Sequence, residues 1–349
     1  MKRTLITLLL VIAAVLLLAG CQKKTDAESS ATYAQPDAAP QPLNADKAAA
    51  PKTLVHLAGL KGPTTMGMVK LLDDAENSLT ANDYEFTLAG SADEISPKFL
   101  KGELDIIAAP VNLGAVLNKN SGGAVEMLAV NTLGVVYIVE KNGQTIQSLK
   151  DLAGKIVYAT GRGSTPEYAL TYLLAQNGLD INKDVDVQWK SEPTEIVALM
   201  NTEENTVAMM PQPYVTVAGN QFSTLRIAVD LTAEWNALGN GSQFLTAGIF
   251  VRKTFAEEHP EAVKAFLADY STSTSFVTEN VADAAQLVEK YGIVKAPIAQ
   301  KAIPYCNIVC ITGSSMKTIT QGYLKVLFDL NPKAVGGELP GDAFYLTDE

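Results

Sequence analysis

The segment Thr53-Leu54-Val55-His56-Leu57-Ala58-Gly59-Leu60-Lys61-Gly62-Pro63-Thr64-Thr65-Met66-Gly67 decides the fold of this chain. Its first half is an apolar run typical of a strand. Its second half is a turn containing glycine and proline, in which either Thr64 or Thr65 can cap a helix. Strand, short turn and helix form the repeating unit of α/β proteins. The same order recurs along the chain, so the sequence predicts an α/β fold with largely parallel strands.

Two sets of these units follow one another. The first set has predicted strands at 53–58, 84–89, 105–109 and 125–130, with helices at 65–74, 94–101 and 113–118. The second set has predicted strands at 155–159, 185–189, 207–210 and 226–230, with helices at 166–177, 194–200 and 214–218. Each set is typical of a compact α/β unit.

Two further strand-like segments, 135–140 and 246–251, suggest how the sets are joined. If these segments pair, the chain crosses from one lobe to the other and back, and the helices between 260 and 330 complete the first lobe. We therefore expect lobe 1 at 52–140 and 245–349, lobe 2 at 141–244, a mixed sheet flanked by helices in each, and two hinge crossings. A single doubly wound sheet with a helical tail is the alternative.

The N-terminus has the pattern of an export signal. Lys2 and Arg3 precede an apolar stretch of 15 residues, 5–19, which is shorter than the roughly 20 residues that span a membrane. It ends in Leu17-Leu18-Ala19-Gly20-Cys21, which predicts cleavage before Cys21 and a signal peptide at 1–20. An uncleaved helical anchor is the alternative, and it also leaves the domain outside the cytoplasm. Residues 21–51, rich in Ala, Pro, Gln and Ser, indicate a flexible tether.

Charge and cysteine content narrow the function further. The net charge is −11, and it becomes −13 when Lys2 and Arg3 leave with the signal, which argues against nucleic acid as a partner. Cys306 and Cys310 lie in a segment that looks like a strand, where four residues span roughly 13 Å, while a disulfide needs Cα atoms about 5.5 Å apart. Two unpaired, half-buried thiols are expected. A local disulfide is the alternative if the segment turns, because the compartment is oxidising.

The sequence offers little for catalysis. Its two histidines are His56, inside a predicted strand, and His259, beside Pro260 at a helix start. Two histidines in these places make a Ser/His/Asp or Cys/His catalytic arrangement, or a metal site with several histidines, hard to build. The sequence also contains neither a P-loop nor a G-x-G-x-x-G pattern. Catalytic signals in the sequence are therefore weak, and we expect no cofactor or metal site.

Candidate ligand-binding residues lie in four turns that lead from a strand into a helix. In α/β sheets, ligands bind beyond the carboxyl ends of the strands, where helix N-termini present free N–H groups. These turns supply the following candidates: Thr64, Thr65 and Met66; Ala109, Pro110 and Asn112; Arg162, Gly163, Ser164 and Thr165; Gln212 and Tyr214.

Arg162 determines what is expected of the solute's charge. It can bind a carboxylate, sulfonate or phosphate through two N–H groups, or it can be a solvated loop arginine. Ser164 and Glu167 have the spacing of a capping box, so Glu167 would already occupy that helix end. The turn at 209–216 offers Gln212 and no cation, and the mature chain has a net charge of −13. Together with Glu167, these features favour a neutral or zwitterionic solute.

Four segments together resemble one family. They are the turn at 59–67, the strand Asp105-Ile106-Ile107-Ala108, the segment Ser148-Leu149-Lys150-Asp151-Leu152-Ala153-Gly154-Lys155 and the turn Pro211-Gln212-Pro213. It is the substrate-binding lipoproteins of ABC importers, in the group that binds nitrate, sulfonates, taurine or thiamine pyrimidines. The resemblance implies a type 2 periplasmic-binding fold and no catalysis. Relatives often carry an acid where this chain has Gln212.

The resemblance also implies how the protein works and where. A small solute bridges the two lobes, favours the closed form and is delivered to ABC permease subunits. Acylation of Cys21, for example with palmitate, would hold the domain on the outer face of the cell membrane. The protein is expected to be a monomer. A sensory or adhesive lipoprotein, and an enzyme of thiamine-pyrimidine or menaquinone synthesis on the same fold, are the alternatives.

Overall fold

The computed structural model describes residues 52–347, so the predicted signal peptide, Cys21 and the tether lie outside the described residues. Eleven strands occur in that range: β1 (Leu54–Leu60), β2 (Asp83–Ala89), β3 (Ile106–Pro110), β4 (Val125–Leu133), β5 (Val136–Lys141), β6 (Ile156–Ala159), β7 (Asp186–Trp189), β8 (Thr206–Pro211), β9 (Leu225–Asp230), β10 (Leu245–Arg252) and β11 (Ile308–Ile311).

Thirteen α-helices occur in the same range: α1 (Pro63–Met66), α2 (Val69–Glu76), α3 (Ala92–Lys101), α4 (Val111–Asn120), α5 (Thr165–Gln176), α6 (Pro193–Leu199), α7 (Tyr214–Gln221), α8 (Leu231–Ala237), α9 (Lys253–Glu258), α10 (Pro260–Glu279), α11 (Val281–Lys290), α12 (Ala296–Ala302) and α13 (Gly313–Leu330). Short 3₁₀ turns complete the chain at Leu149–Leu152, Ile303–Tyr305, Pro332–Val335 and Asp342–Phe344.

The strands form two separate mixed sheets, which confirms the α/β class and excludes the single-sheet alternative. The first sheet has the order β11-β4-β10-β3-β1-β2. β1 runs parallel to β2 and β3, while β10 is antiparallel to β3 and β4. The residues of β3 from Ile106 to Ala109 are fully buried, as expected for a central strand covered by helices on both faces.

The second sheet has the order β7-β6-β8-β5-β9. β6 runs parallel to β7 and β8, while β5 is antiparallel to β8 and β9. Strands at its two edges carry exposed apolar or polar residues, whereas Ile138 and Val139 of the inner strand β5 are fully buried.

The expected pairing of segments 135–140 and 246–251 is wrong. The first segment is β5, which belongs to the second sheet, and the second segment is β10, which belongs to the first. Both are apolar enough to be central strands, and hydrophobicity alone does not tell a strand which neighbour it will meet. The chain therefore passes to the second sheet between Leu133 and Val136, and returns between Asp230 and Leu245.

The predicted helix 65–74 is two helices. α1 ends at Met66 and α2 begins at Val69, with Gly67 between them. A Cβ atom at Gly67 would lie 2.8 Å from the Tyr270 hydroxyl oxygen, so α10 packs directly on this break. Close approach of α10 is a tertiary contact, which is why the sequence pattern of the segment alone did not predict the interruption.

The two cysteines in the described range are free thiols, as expected. Cys310 is half-buried, but Cys306 is fully buried and packs against Met66, with 3.8 Å between the two sulfur atoms. Burial raises the pKa of the Cys310 thiol to about 11. Within residues 52–347, no helix combines the length and the apolar character needed to cross a membrane.

Candidate functional site: a cleft between the two sheets

Six strand-to-helix turns meet at one cleft between the sheets. From the first sheet come the turns after β1, β2 and β3, and from the second come those after β6, β7 and β8. These are the carboxyl ends of parallel strands, which is where α/β proteins bind ligands. The cleft has two compartments. The one lined by Arg162 and Lys333 has a volume of about 760 Å³, and we call it the wide compartment. The one lined by Val135, in the crossing between the sheets, has a volume of about 470 Å³, and we call it the hinge compartment. The two compartments share Leu60, Gly90, Pro110, Gly161 and Ser191.

The turn after β1 brings only part of its predicted residues to the cleft. Thr64 lines the hinge compartment, and its hydroxyl donates to the Leu60 carbonyl over 3.2 Å. Thr65 donates to the same carbonyl over 2.7 Å but is fully buried. Met66 is also fully buried, in the core beside Cys306. The structure therefore places Thr65 and Met66 inside the fold, because α1 turns inward directly after Pro63.

The turn after β3 contributes Pro110 to both compartments and Asn112 to the wide one. The Asn112 amide donates to the Ala334 carbonyl over 3.2 Å, so this side chain anchors the C-terminal part of the chain at the cleft rim. Ala109 is fully buried in β3 and lines neither compartment. Ala109 was predicted to line the site, but its position inside the strand keeps it away from the cleft.

The turn after β6 lies open in the wide compartment. Arg162, Gly163 and Ser164 line that compartment, whereas Thr165 is buried beneath them. Glu167 accepts from the backbone N–H of Gly163, and Ser164 donates to the Gly161 carbonyl over 2.8 Å. The expected capping box at Ser164 is thus replaced by a related arrangement, in which Glu167 still occupies the start of α5.

The turn after β8 holds Gln212 and Tyr214, and both line the hinge compartment. Gln212 is 2% exposed, and its side-chain oxygen accepts from the Thr216 hydroxyl over 2.8 Å. Burial, with a smaller contribution from the charge of Glu192, raises the pKa of Tyr214. Tyr214 therefore stays a neutral hydroxyl at the wall of the compartment.

Several lining residues were not predicted. Gly90 and Ser91 follow β2, and Lys190, Ser191 and Glu192 follow β7, so the rule that selected the four predicted turns applied to these two as well. Lys333 had no such signal. It reaches the cleft from the C-terminal 3₁₀ turn, which only the packing against α4 brings there.

The cleft carries more positive than negative side chains. Four cations line it, and only two acids, Asp93 and Glu192, do so. The cations are Lys61, Arg162, Lys190 and Lys333. Within residues 52–347 none of the four takes part in an ion pair. Helices α4 and α7 also begin at the cleft, and neither has an acidic residue in its first turn.

Groups for acid–base or metal chemistry lie elsewhere. His56 bonds to Asp105 at the opposite end of β1, and His259 is exposed at the start of α10. The part of the chain from 52 to 347 holds no group of His, Cys, Asp or Glu suited to a metal ion. A separate groove of about 710 Å³ lies beside α10 and Cys310. Residues of both sheets line the cleft, whereas no described residue of the second sheet lines this groove.

Comparisons with known proteins agree with this architecture. Residues 65–301 match the family described as the ABC transporter, phosphonate, periplasmic substrate-binding protein. No curated protein matches the chain by sequence. Among solved structures, an ABC transporter protein from Parabacteroides distasonis is similar, with a TM-score of 0.71, 22% identity, and coverage of 85% of this chain and 100% of that one.

Two sulfonate-binding proteins share the fold. The aliphatic sulphonate binding protein SsuA from Escherichia coli has a TM-score of 0.67 at 16% identity, covering 82% of this chain and 96% of that one. The alkanesulfonate-binding protein SsuA from Xanthomonas axonopodis pv. citri, bound to MOPS, has a TM-score of 0.64 at 13% identity, covering 84% and 96%. The predicted type 2 periplasmic-binding fold is confirmed, and the chain belongs to the family of phosphonate-type periplasmic substrate-binding proteins, the extracytoplasmic solute-binding components of ABC transporters.

Proposed function

We propose that this protein captures a small organic oxyanion of the phosphonate or sulfonate class in the cleft and delivers it to an ABC permease. The observation that carries the proposal is the group of four cations without ion-pair partners, which lines the cleft of an otherwise acidic protein. Guanidinium and ammonium groups bind such anions through hydrogen bonds that are stronger than those between neutral groups. The family match and the sulfonate-binding relatives support the same class.

The backbone adds to this preference. The N-terminus of a helix carries a partial positive charge and free N–H groups. At α3, α5 and α6 a carboxylate already lies in the first turn, but α4 and α7 have none. One of these two helices starts from each sheet, so an anion between them would be held from both sides. This weighs against the neutral or zwitterionic solute that the sequence favours.

Closure of the cleft would couple binding to transport. Arg162, Lys61 and Lys333 are exposed, so the anion would gain contacts when the two sides approach each other. A ligand shifts such an equilibrium by the difference in its affinity for the open and closed forms. We place the hinges at the observed crossings. Lobe 1 then comprises 52–133 and 245–347, and lobe 2 comprises 136–230, so the first boundary lies before β5 and not after residue 140.

Calorimetry on the full-length chain, purified in detergent, tests the solute class. Ethylphosphonate and ethanesulfonate are compared with the neutral 1-propanol and the cation ethylamine. The oxyanions should bind, and Arg162→Gln or Lys190→Gln should weaken their binding about tenfold to a hundredfold, because each loses a charged hydrogen-bond donor. Lys150→Gln is the matched control, since Lys150 is an exposed cation outside the cleft. Binding of the neutral solute, or equal effects of all three variants, would contradict the proposal.

We propose that the protein is not an enzyme. The family consists of transport binding proteins, and neither histidine lines the cleft. Phosphorus NMR of a phosphonate bound to the protein should show the ligand unchanged after long incubation and after its release by denaturation. A new phosphorus signal that forms only with the folded protein would indicate catalysis.

We propose that Cys21 carries the lipid anchor and that the anchored protein is a monomer. The pattern at 17–21 supports the anchor, and the family is extracytoplasmic. Cells fed labelled palmitate should label the natural chain but not Cys21→Ser, while Cys310→Ser serves as the matched control. Equal labelling of Cys21→Ser would refute the anchor. A mass from light scattering in detergent that equals two chains would refute the monomer.

A further inference from the structure

The hinge compartment contains two polar groups that lack a partner within residues 52–347, and they bear on which oxyanion the protein takes. The inference rests on the proposed function, because it concerns the same solute. One group is the amide nitrogen of Gln212, and the other is the hydroxyl of Thr246.

Gln212 is held in one orientation. Its side-chain oxygen accepts from the backbone N–H of Thr216 over 3.3 Å and from the Thr216 hydroxyl over 2.8 Å. A backbone N–H can only donate, so the amide oxygen has to face Thr216 and the NH₂ group has to face away. In the described range this NH₂ has no hydrogen-bond partner, although the side chain is 98% buried and lines the compartment. Gln212 therefore presents a hydrogen-bond donor to the solute.

Thr246 lies on the other side of the same compartment, at the start of β10. Its hydroxyl oxygen is buried and has no hydrogen-bond partner in the part of the chain from 52 to 347. A buried hydroxyl without a partner reduces stability. Of the four such hydroxyls in the described range, only that of Thr246 belongs to a residue that lines the cleft. Once the side chain turns toward the compartment that Thr246 lines, the hydroxyl can bond to a solute oxygen.

Both groups lie where the sheets are joined. The backbone N–H of Gln212 donates over 2.9 Å to the carbonyl of Val135, in the first crossing. Thr246 follows Leu245, which pairs with Leu133 at the start of that crossing. Arg162, Lys190 and Lys333 line the wide compartment instead. Because the two compartments share five lining residues, one solute can reach both.

We propose that the solute carries two recognised groups. Its oxyanion lies among the cations of the wide compartment, and a carboxylate or carbonyl oxygen bonds to Gln212 and Thr246 in the hinge compartment. Lys61 and Glu192 also line the hinge compartment, and their charges are opposite. The Gln212 NH₂ group can only donate, so it selects an acceptor and disfavours an ammonium group at this end of the solute.

Three short phosphonates that differ in their terminal group test the proposal by calorimetry on the full-length chain. Ethylphosphonate ends in a methyl group, phosphonoacetate in a carboxylate and aminomethylphosphonate in an ammonium group. Phosphonoacetate should bind about tenfold to a hundredfold more tightly than ethylphosphonate, as expected for hydrogen bonds to a charged acceptor. Equal binding of these two would overturn the inference and leave the proposed function standing. Failure of every oxyanion to bind would overturn both.

Variants assign the effect to the two groups. Thr246→Val should bring phosphonoacetate close to ethylphosphonate in affinity without lowering the melting temperature, because it removes a hydroxyl that has no partner. Thr206→Val is the matched control, since Thr206 is another buried threonine without a partner for its hydroxyl, and it lies outside the cleft. Gln212→Glu keeps the bonds to Thr216 and replaces the donor by a carboxylate oxygen. It should reverse the preference in favour of aminomethylphosphonate. Equal weakening of all three phosphonates by both variants would overturn the inference.

Discussion

Asp105 shows how a single buried charge is maintained in this fold. It lies directly before β3 and is 4% exposed. One carboxylate oxygen accepts from the Arg252 guanidinium over 2.6 Å, and the other accepts from the His56 backbone N–H over 2.9 Å. Burial alone would raise the pKa of this carboxyl, but the hydrogen bonds from His56 and Arg252 together outweigh burial and lower it. The ionised form is therefore the stable one in the folded protein.

This arrangement predicts a dependence of stability on pH. The pKa of Asp105 is lower in the folded chain than its ordinary value of 3.8. Ionised Asp105 therefore stabilises the fold fully above about pH 4, and this stabilisation is lost as the pH falls through the lower folded pKa. Asp105→Asn should lower the free energy of unfolding at pH 7 by roughly 1.5–3 kcal/mol, as expected for hydrogen bonds to charged groups. The free energy of unfolding of this variant should also fall less steeply than that of the natural protein as the pH is lowered below about 4.

Urea denaturation between pH 3 and pH 7 measures this effect. Asp83→Asn is the control, because Asp83 is exposed and its contact with Lys52 is 3.9 Å long. Exposed pairs of this kind contribute little. If Asp105→Asn and Asp83→Asn give the same profiles, the Asp105 cluster does not contribute in this way.

At the scale of elements, the turn after β6 depends on one glycine. Gly161 has a φ of +84°, and a Cβ atom there would lie 2.7 Å from Pro166 Cγ, at the start of α5. Positive φ and close approach together require glycine at this position. The glycine thereby sets the path of the loop that carries Arg162.

Gly161→Ala should destabilise the protein more than Gly178→Ala. Gly178 has a φ of +80° but would meet no atom within 4 Å, so its replacement adds only the backbone strain, roughly 1–2 kcal/mol. Gly161→Ala adds the clash with Pro166 and should also weaken solute binding, because the loop must move. Urea denaturation and calorimetry of both variants check this. If both variants lose the same free energy of unfolding and bind the solute unchanged, the loop tolerates an alanine side chain at position 161.

Patterns of this local kind explain why most elements were predictable. Strands such as β3 and turns such as the one at Gly161 depend on neighbouring residues, so apolar runs, glycines and caps identify them. The interruption at Gly67 depends on Tyr270, which lies more than 200 positions away. Contacts of that range leave no trace in a window of ten residues.

At the scale of the whole molecule, the two sheets are joined by packed side chains as well as by the crossings. Trp235 follows β9 on the returning path and is fully buried, with its ring stacked on Phe244 at 5.4 Å between centroids. Tyr323 of α13 packs on the same ring at 5.7 Å. Trp235 is therefore a core residue and not a stacking partner for the solute. This cluster packs residues of the returning path against α13.

Two sheets joined by two crossings, with a cleft lined from both sheets, predict hinge closure. X-ray scattering of the full-length chain in detergent should give a smaller radius of gyration for the protein when a bound oxyanion is saturating, because both lobes gain contacts with it. Arg162→Gln at the same solute concentration is the control and should stay nearer the open profile. An unchanged profile for the natural protein at saturation would indicate a rigid molecule.

Local information was sufficient to predict the α/β class, the two sets of units and the turns that hold the cleft, because strand runs, turn residues and helix starts depend on near neighbours. Packing decided which strands became neighbours, since segments 135–140 and 246–251 are both strand-like and their partners lie far along the chain. Packing also buried Thr65 and Met66 and brought Lys333 to the rim. Burial and the meeting of distant charges are properties of the folded chain, and for this reason the charge of the cleft could be derived only from the tertiary structure.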